Sequence, residues 1–106
     1  MAKFLIKASY TSAGAKGILS GGGSARRSAV EEMVGGLGGS LDSFYFAFGD
    51  ADAYVTVDLP DNVTAAAISL AVNAAGAVQV TTVPLLTPEE VDQAAQKSVD
   101  YQPPGS

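Results

Sequence analysis

The stretch Leu41-Asp42-Ser43-Phe44-Tyr45-Phe46-Ala47-Phe48-Gly49-Asp50-Ala51-Asp52-Ala53-Tyr54-Val55-Thr56-Val57-Asp58-Leu59 decides the fold. In its first half Phe44, Phe46 and Phe48 fall on one face, and Ser43, Tyr45 and Ala47 on the other. In its second half Ala53, Val55, Val57 and Leu59 alternate with Asp52, Tyr54, Thr56 and Asp58. A period of two is the signature of a half-buried strand. Gly49-Asp50 between the halves predicts a two-residue hairpin turn, with glycine supplying the positive φ such turns use. That turn sets Phe46 opposite Ala53, Phe44 opposite Val55 and Tyr45 opposite Tyr54. The apolar sets of both strands then share one face, so the two patterns agree on one register.

Working outward, Lys3 to Tyr10 alternates in the same way, with Phe4, Ile6, Ala8 and Tyr10 inward and Leu5, Lys7 and Ser9 on the second face. Ser12 to Ser20 predicts a short helix weakened by Gly14 and Gly17, and Gly21-Gly22-Gly23 a break. Ser24 is expected to cap a second helix carrying Val30, Met33, Val34 and Leu37 at helical spacing, stopped by Gly38-Gly39. Beyond the hairpin, Pro60-Asp61-Asn62 caps a helix over Val63 to Ala75 that Gly76 ends. Its expected buried stripe is Val63, Ala66, Ala67, Leu70, Ala71 and Ala74. Ala77 to Val83 alternates as a last strand. Thr87-Pro88-Glu89-Glu90 reads as N-cap, first-turn proline and capping-box glutamate of a final helix to about Lys97. Residues 1–97 form the expected domain, and 98–106, with Pro103-Pro104-Gly105, an extended tail. The order β-α-β-β-α-β followed by a helix is that of the ferredoxin-like α+β plait, two helices on one face of a four-stranded antiparallel sheet.

Composition bounds the chemistry. The 106 residues are 47% hydrophobic, carry 6 bases against 11 acids for a net charge of −5, and include no His, Cys or Trp. This suits one folded domain, and excludes Ser-His-Asp and Cys-His nucleophiles, thiolate or imidazole metal sites and disulfides. Phe4-Leu5-Ile6 is too short for a signal-peptide core, and the Ala-rich run Val63 to Val78 too short and too interrupted to span a bilayer. The expectation is a cytoplasmic protein with no membrane partner. Net acidity, and only Tyr54 as an aromatic on the second face of the two central strands, argue against a nucleic-acid platform.

Several residue sets invite a functional reading. The second face of the sheet collects Lys7, Ser9, Tyr45, Tyr54, Thr56 and Asp58, together with Leu5, Gln79 and Thr81. If a partner sheet covers that face, these residues line a ligand-binding cavity. Lys7, Tyr45, Tyr54 and Asp58 are the candidate catalytic proton handlers. The competing structural reading is a wet subunit interface in which Asp58 neutralises Lys7. Asp50 and Asp52 offer two carboxylates to a hard cation, but the stretch lacks further acidic ligands and the turn accounts for it, so no metal is expected. Ser20-Gly21-Gly22-Gly23-Ser24-Ala25-Arg26-Arg27 has the look of an anion cradle. It lacks the lysine of a P-loop and the third glycine of a dinucleotide fingerprint, and Arg27 has helical spacing to Glu31.

Gly49-Asp50-Ala51-Asp52, the strand ending in Asp58-Leu59-Pro60-Asp61, Thr64-Ala65-Ala66-Ala67, Gly76-x-Val78, Thr81-Thr82 and Thr87-Pro88-Glu89-Glu90 together resemble the GYD domain family over about residues 4 to 97. Gly49 and Asp52 match the naming motif, while its tyrosine falls at Ala51. The resemblance implies a ferredoxin-like fold associating as a dimeric α/β barrel, a homodimer or higher homo-oligomer formed through the sheet face. Fold transfers along such a likeness further than chemistry does. Two functions of different class follow as expectations. One is a cofactor-free protein that binds a small apolar or aromatic molecule between subunits, or serves assembly. The other is a cofactor-free oxygenase or isomerase of the dimeric barrel type.

Overall fold

A computed structural model describes residues 1–105; Ser106, the last residue of the expected tail, lies outside the described residues. The elements are β1 (Ala2–Tyr10), α1 (Ser12–Gly21), α2 (Gly23–Gly36), β2 (Ser40–Phe46), β3 (Ala53–Leu59), α3 (Asn62–Ala75), β4 (Val78–Leu85) and α4 (Pro88–Ala95). The four strands form one antiparallel sheet in the order β2-β3-β1-β4, with α1, α2 and α3 on one face. This is the ferredoxin-like plait.

The hairpin register is the one the alternation demands: Phe44 faces Val55, Tyr45 faces Tyr54 and Phe46 faces Ala53. On β3 the pattern is strict, with Ala53, Val55, Val57 and Leu59 buried beneath the helices and Tyr54, Thr56 and Asp58 half-exposed on the other side. Phe4, Ile6 and Ala8 of β1 continue the core, which Val30 and Val34 of α2 and Ile68 of α3 cover.

The local chemistry differs from expectation in five places. First, the turn is wider than two residues. Pairing ends at Phe46 and Ala53, Ala47 adds one bond to the Asp52 carbonyl at 2.8 Å, and Gly49 does not take a positive φ. Asp52 ties the far end of the loop to β1 through its backbone N–H on the Ala8 carbonyl, leaving Phe48 fully exposed outside the strand. Second, a bulge between Leu41 and Ser43 shifts the alternation. Leu41 packs with the core and Asp42 reaches the second face, where it meets Lys3. A bulge inserts one residue into one strand and reverses the facing of everything beyond it.

Third, α1 runs through Gly21, and Gly22 alone, at φ 85°, makes the break. The second helix therefore starts before Ser24 and has Gly22 as N-cap with no side-chain cap bond. Gly14 within α1 is a packing requirement, because a Cβ there would run into the backbone carbonyl of Ala77. Fourth, α3 buries a different stripe. Asp61 caps it and Gly76 ends it as expected, but the inward residues are Ala65 and Ile68, with Val72 partly buried. Val63 and Leu70 are 78% and 73% exposed. Ten of the fourteen α3 residues are apolar and they surround the helix, so counting apolar positions does not choose a face. Size does not choose either, since Leu70 and Val63 match Ile68 and Val72; polar contacts to β4 do. Ser69 shares a 2.7 Å hydrogen bond with Thr82, and Asn73 accepts the Val80 N–H at 2.7 Å.

Fifth, α4 has the expected capping box at Thr87 and Glu90 behind Pro88 but ends at Ala95, short of Lys97, and none of its residues is buried. It and the residues after it lengthen the chain to 56 Å against 33 and 23 Å in the other directions. The radius of gyration is 16.8 Å, where a compact chain of about 100 residues has about 13 Å.

The rotation of α3 is open to direct test. Ile68→Ala should cost about 2–5 kcal/mol in urea unfolding, by lost burial and the cavity left behind. Leu70→Ala should stay within about 0.5 kcal/mol of wild type, as exposed positions do. The reverse ranking would restore the face expected from sequence.

Candidate functional site

The second face of the sheet is organised in rows by the strand register. One row across β2, β3, β1 and β4 reads Tyr45, Tyr54, Lys7, Thr81; the next reads Ser43, Thr56, Leu5, Val83; the third reads Ser40, Asp58, Lys3, Leu85. Six of the residues singled out from the sequence, Lys7, Ser9, Tyr45, Tyr54, Thr56 and Asp58, therefore do share one surface. They divide into two groups.

At one end lies an ion cluster. Lys3 Nζ is 3.0 Å from Asp42 Oδ2 and 3.2 Å from Asp58 Oδ1. Thr56 donates to Asp42 Oδ2 at 3.3 Å and shares a 2.6 Å hydrogen bond with Ser43. The bonds that Lys3 donates to Asp42, then to Asp58, hold its ammonium above the ordinary lysine value. The bond from Lys3 keeps the Asp42 carboxyl below its ordinary value. Asp58 is thus committed to Lys3. Within one chain Asp58 does not pair with Lys7, because the register places Lys7 opposite Tyr54, four residues along the strand from Lys3. Four residues of strand amount to about 13 Å.

At the other end Lys7 is exposed and makes no ion pair among the described residues. It borders a hollow of about 270 Å³ lined also by Ser9, Asp50, Ala51, Gln79 and Thr81. The candidate proton handlers Lys7, Tyr45 and Tyr54 are in one row, and Asp58 is two rows away.

Sequence reasoning passed over Lys3 and Asp42. Lys3 is on the same strand face as Lys7, and its register partner Asp58 was the available signal; Asp42 is on that face only because of the bulge. The two carboxylates of the motif loop diverge, Asp50 toward the hollow by Lys7 and Asp52 to the opposite side of the sheet. Asp52 Oδ2 accepts the Tyr10 N–H at 2.8 Å, so this motif residue continues the β3–β1 ladder by a side chain where the backbone pairing has ended. Arg27 makes no ion pair with Glu31, and Arg26 turns beneath the helices, where its Nε is buried without a hydrogen-bond partner. Among the described residues no group of three or more acidic, His or Cys side chains is placed to hold a metal ion, and no helix is long and apolar enough to cross a membrane.

The ion cluster predicts a pH signature. A carboxyl with a lowered folded value contributes stability that is present above its unfolded value and is lost as pH falls through the folded one. Asp42→Asn should therefore lower the urea midpoint near neutral pH, and this difference should shrink as pH falls through the acid range. Near 1 M salt the difference should also fade, since exposed pairs are screened. An unchanged difference at acid pH would mean that Asp42 acts through packing instead.

Comparison with known proteins adds a family. The family model described as GYD domain matches residues 4–95, from β1 through the end of α4. No curated protein and no solved structure matches the chain. The fold, the loop bearing Gly49 and Asp52, and that match over most of the chain agree: this chain belongs to the GYD domain family.

Proposed function

We propose that this protein is a non-catalytic small-molecule binder that works as a homo-oligomer, two copies apposing the second faces of their sheets. The observation that carries the reading is the composition of that face. Leu5, Tyr45, Tyr54, Val83 and Leu85 stand among the polar residues, and Tyr45 is 71% exposed. Stacked sheets pack about 10 Å apart, which turns the hollow beside Lys7 into an enclosed cavity. An apolar or aromatic molecule extends from that cavity across β3 and β2, against Tyr54 and Tyr45. Lys7 and Ser9 offer donors to a carbonyl or anionic head, and Thr56 borders the site toward the ion cluster. A binding role accounts for these groups better than proton transfer. Asp58, the one carboxylate among the candidate proton handlers, is already engaged by Lys3.

Light scattering after size exclusion tests the assembly. A species of at least twice 10.7 kDa at micromolar concentration is expected. Tyr54→Glu should shift it toward monomer by setting a carboxylate from each copy into the stacked faces. A monomeric wild type overturns the assembly and its cavity together. Native mass spectrometry of protein as purified tests the ligand: a bound mass that Lys7→Ala and Tyr45→Ala remove supports the site. An oligomer that carries no such mass and binds nothing from an aromatic carboxylate and ketone panel leaves assembly alone.

A further inference from the structure

On the helix side of the sheet, at the end where the β2–β3 loop lies, an open cleft of about 480 Å³ separates α1 from that loop. This is the size range of small-molecule sites, which are mostly apolar with a few placed polar groups. Three aromatic rings wall it, Tyr10 from β1, Phe46 from the end of β2 and Phe48 from the loop, with Ile18 of α1 closing the far side. Tyr10 and Phe46 stand 6.4 Å apart between ring centroids, tilted by 36°. Gly23, the first residue of α2, lets the Phe46 ring lie close: a Cβ there would come within 2.9 Å of its Cε2.

One charge is present in this cleft, the carboxylate of Asp52. One of its oxygens is engaged by the Tyr10 N–H, and the other has no protein donor among the described residues. No Lys or Arg pairs with it; the ion pairs of the described residues all belong to Lys3. Arg26 borders a neighbouring cleft, on whose wall Tyr10 also stands, and does not line this one. An uncompensated carboxylate among ring faces is the composition that attracts an organic cation, through the charge and through the negative faces of the rings. Phe48 has no packing partner to account for a fully exposed aromatic ring, and it stands at the rim of this cleft.

We propose that this cleft binds a small organic ammonium carrying an apolar or aromatic body. The cationic head sits against Asp52 and the faces of Tyr10 and Phe46, the body lies along Ile18, and Phe48 folds over it. The site is separate from the hollow beside Lys7, which is on the opposite face of the sheet, and it does not rest on the assembly proposed above.

Three probes of one shape and different charge test this: 2-phenylethylammonium, neutral 2-phenylethanol and anionic phenylacetate, titrated while backbone amide shifts are followed by NMR. The ammonium should move the amides of Tyr10, Phe46, Phe48 and Asp52 saturably, at least tenfold more tightly than the alcohol, and the anion should not bind there. Asp52→Asn keeps an oxygen for the Tyr10 N–H. It should lower ammonium affinity about tenfold or more and leave the alcohol unchanged. Phe48→Ala, at a position too exposed to affect folding, should weaken ammonium and alcohol alike. Tyr54→Glu should alter neither, which separates this site from the sheet face. Equal binding of ammonium and alcohol overturns the proposal. So do undiminished binding by Asp52→Asn, shifts centred on Lys7 and Tyr54, or no saturable shift.

Discussion

The structure depends on the one-sided burial of β3. Its neighbours on both sides pair with it, and Ala53, Val55, Val57 and Leu59 all point beneath the helices. With a side-chain period of two, a slip of one residue would send that entire set to the other face and bring Tyr54, Thr56 and Asp58 into the core. The register of both β1 and β2 follows from that penalty. So does the composition of the second face, which receives every residue the core excludes. The polar rows described above are the complement of the core, produced by the same alternation.

How far the sequence could be read follows from where the information is local. The pairing of Phe44 with Val55 and Tyr45 with Tyr54 was legible, because two strands had to agree on it. The α3 cap at Asp61 and the α4 capping box were legible because the bonding partners are three residues apart. The rotation of α3 was not, since its apolar residues surround the helix and the contacts that choose a face, Ser69 to Thr82 and Asn73 to Val80, bridge separate elements. The position of Asp42 was not either, since no glycine or proline marks the bulge between Leu41 and Ser43. Of the candidate site, membership of the face was legible and partnership was not. Lys3 takes Asp58 by register, and Lys7 is left free.

The β2–β3 loop is a partition. Asp50 and Ala51 border the hollow beside Lys7, while Phe48 and Asp52 border the cleft beneath α1. Six residues therefore separate a cation-bearing concavity from a carboxylate-bearing one, on opposite faces of the same sheet. Ala51 is buried and borders the hollow with a methyl group alone.

Pro84 sits in β4, the outermost strand on one side, and has no N–H to offer. The bulge at Asp42 interrupts β2, the outermost strand on the other. Both borders of the sheet are thus poor templates for a further strand. Strand addition, the route by which sheets grow into open-ended polymers, is obstructed at each margin. What stays open to another copy is the broad surface, and contact of like surfaces about a two-fold axis closes on itself. The stacking of two copies proposed above would therefore end in a finite particle, where strand addition would run on into a fibre.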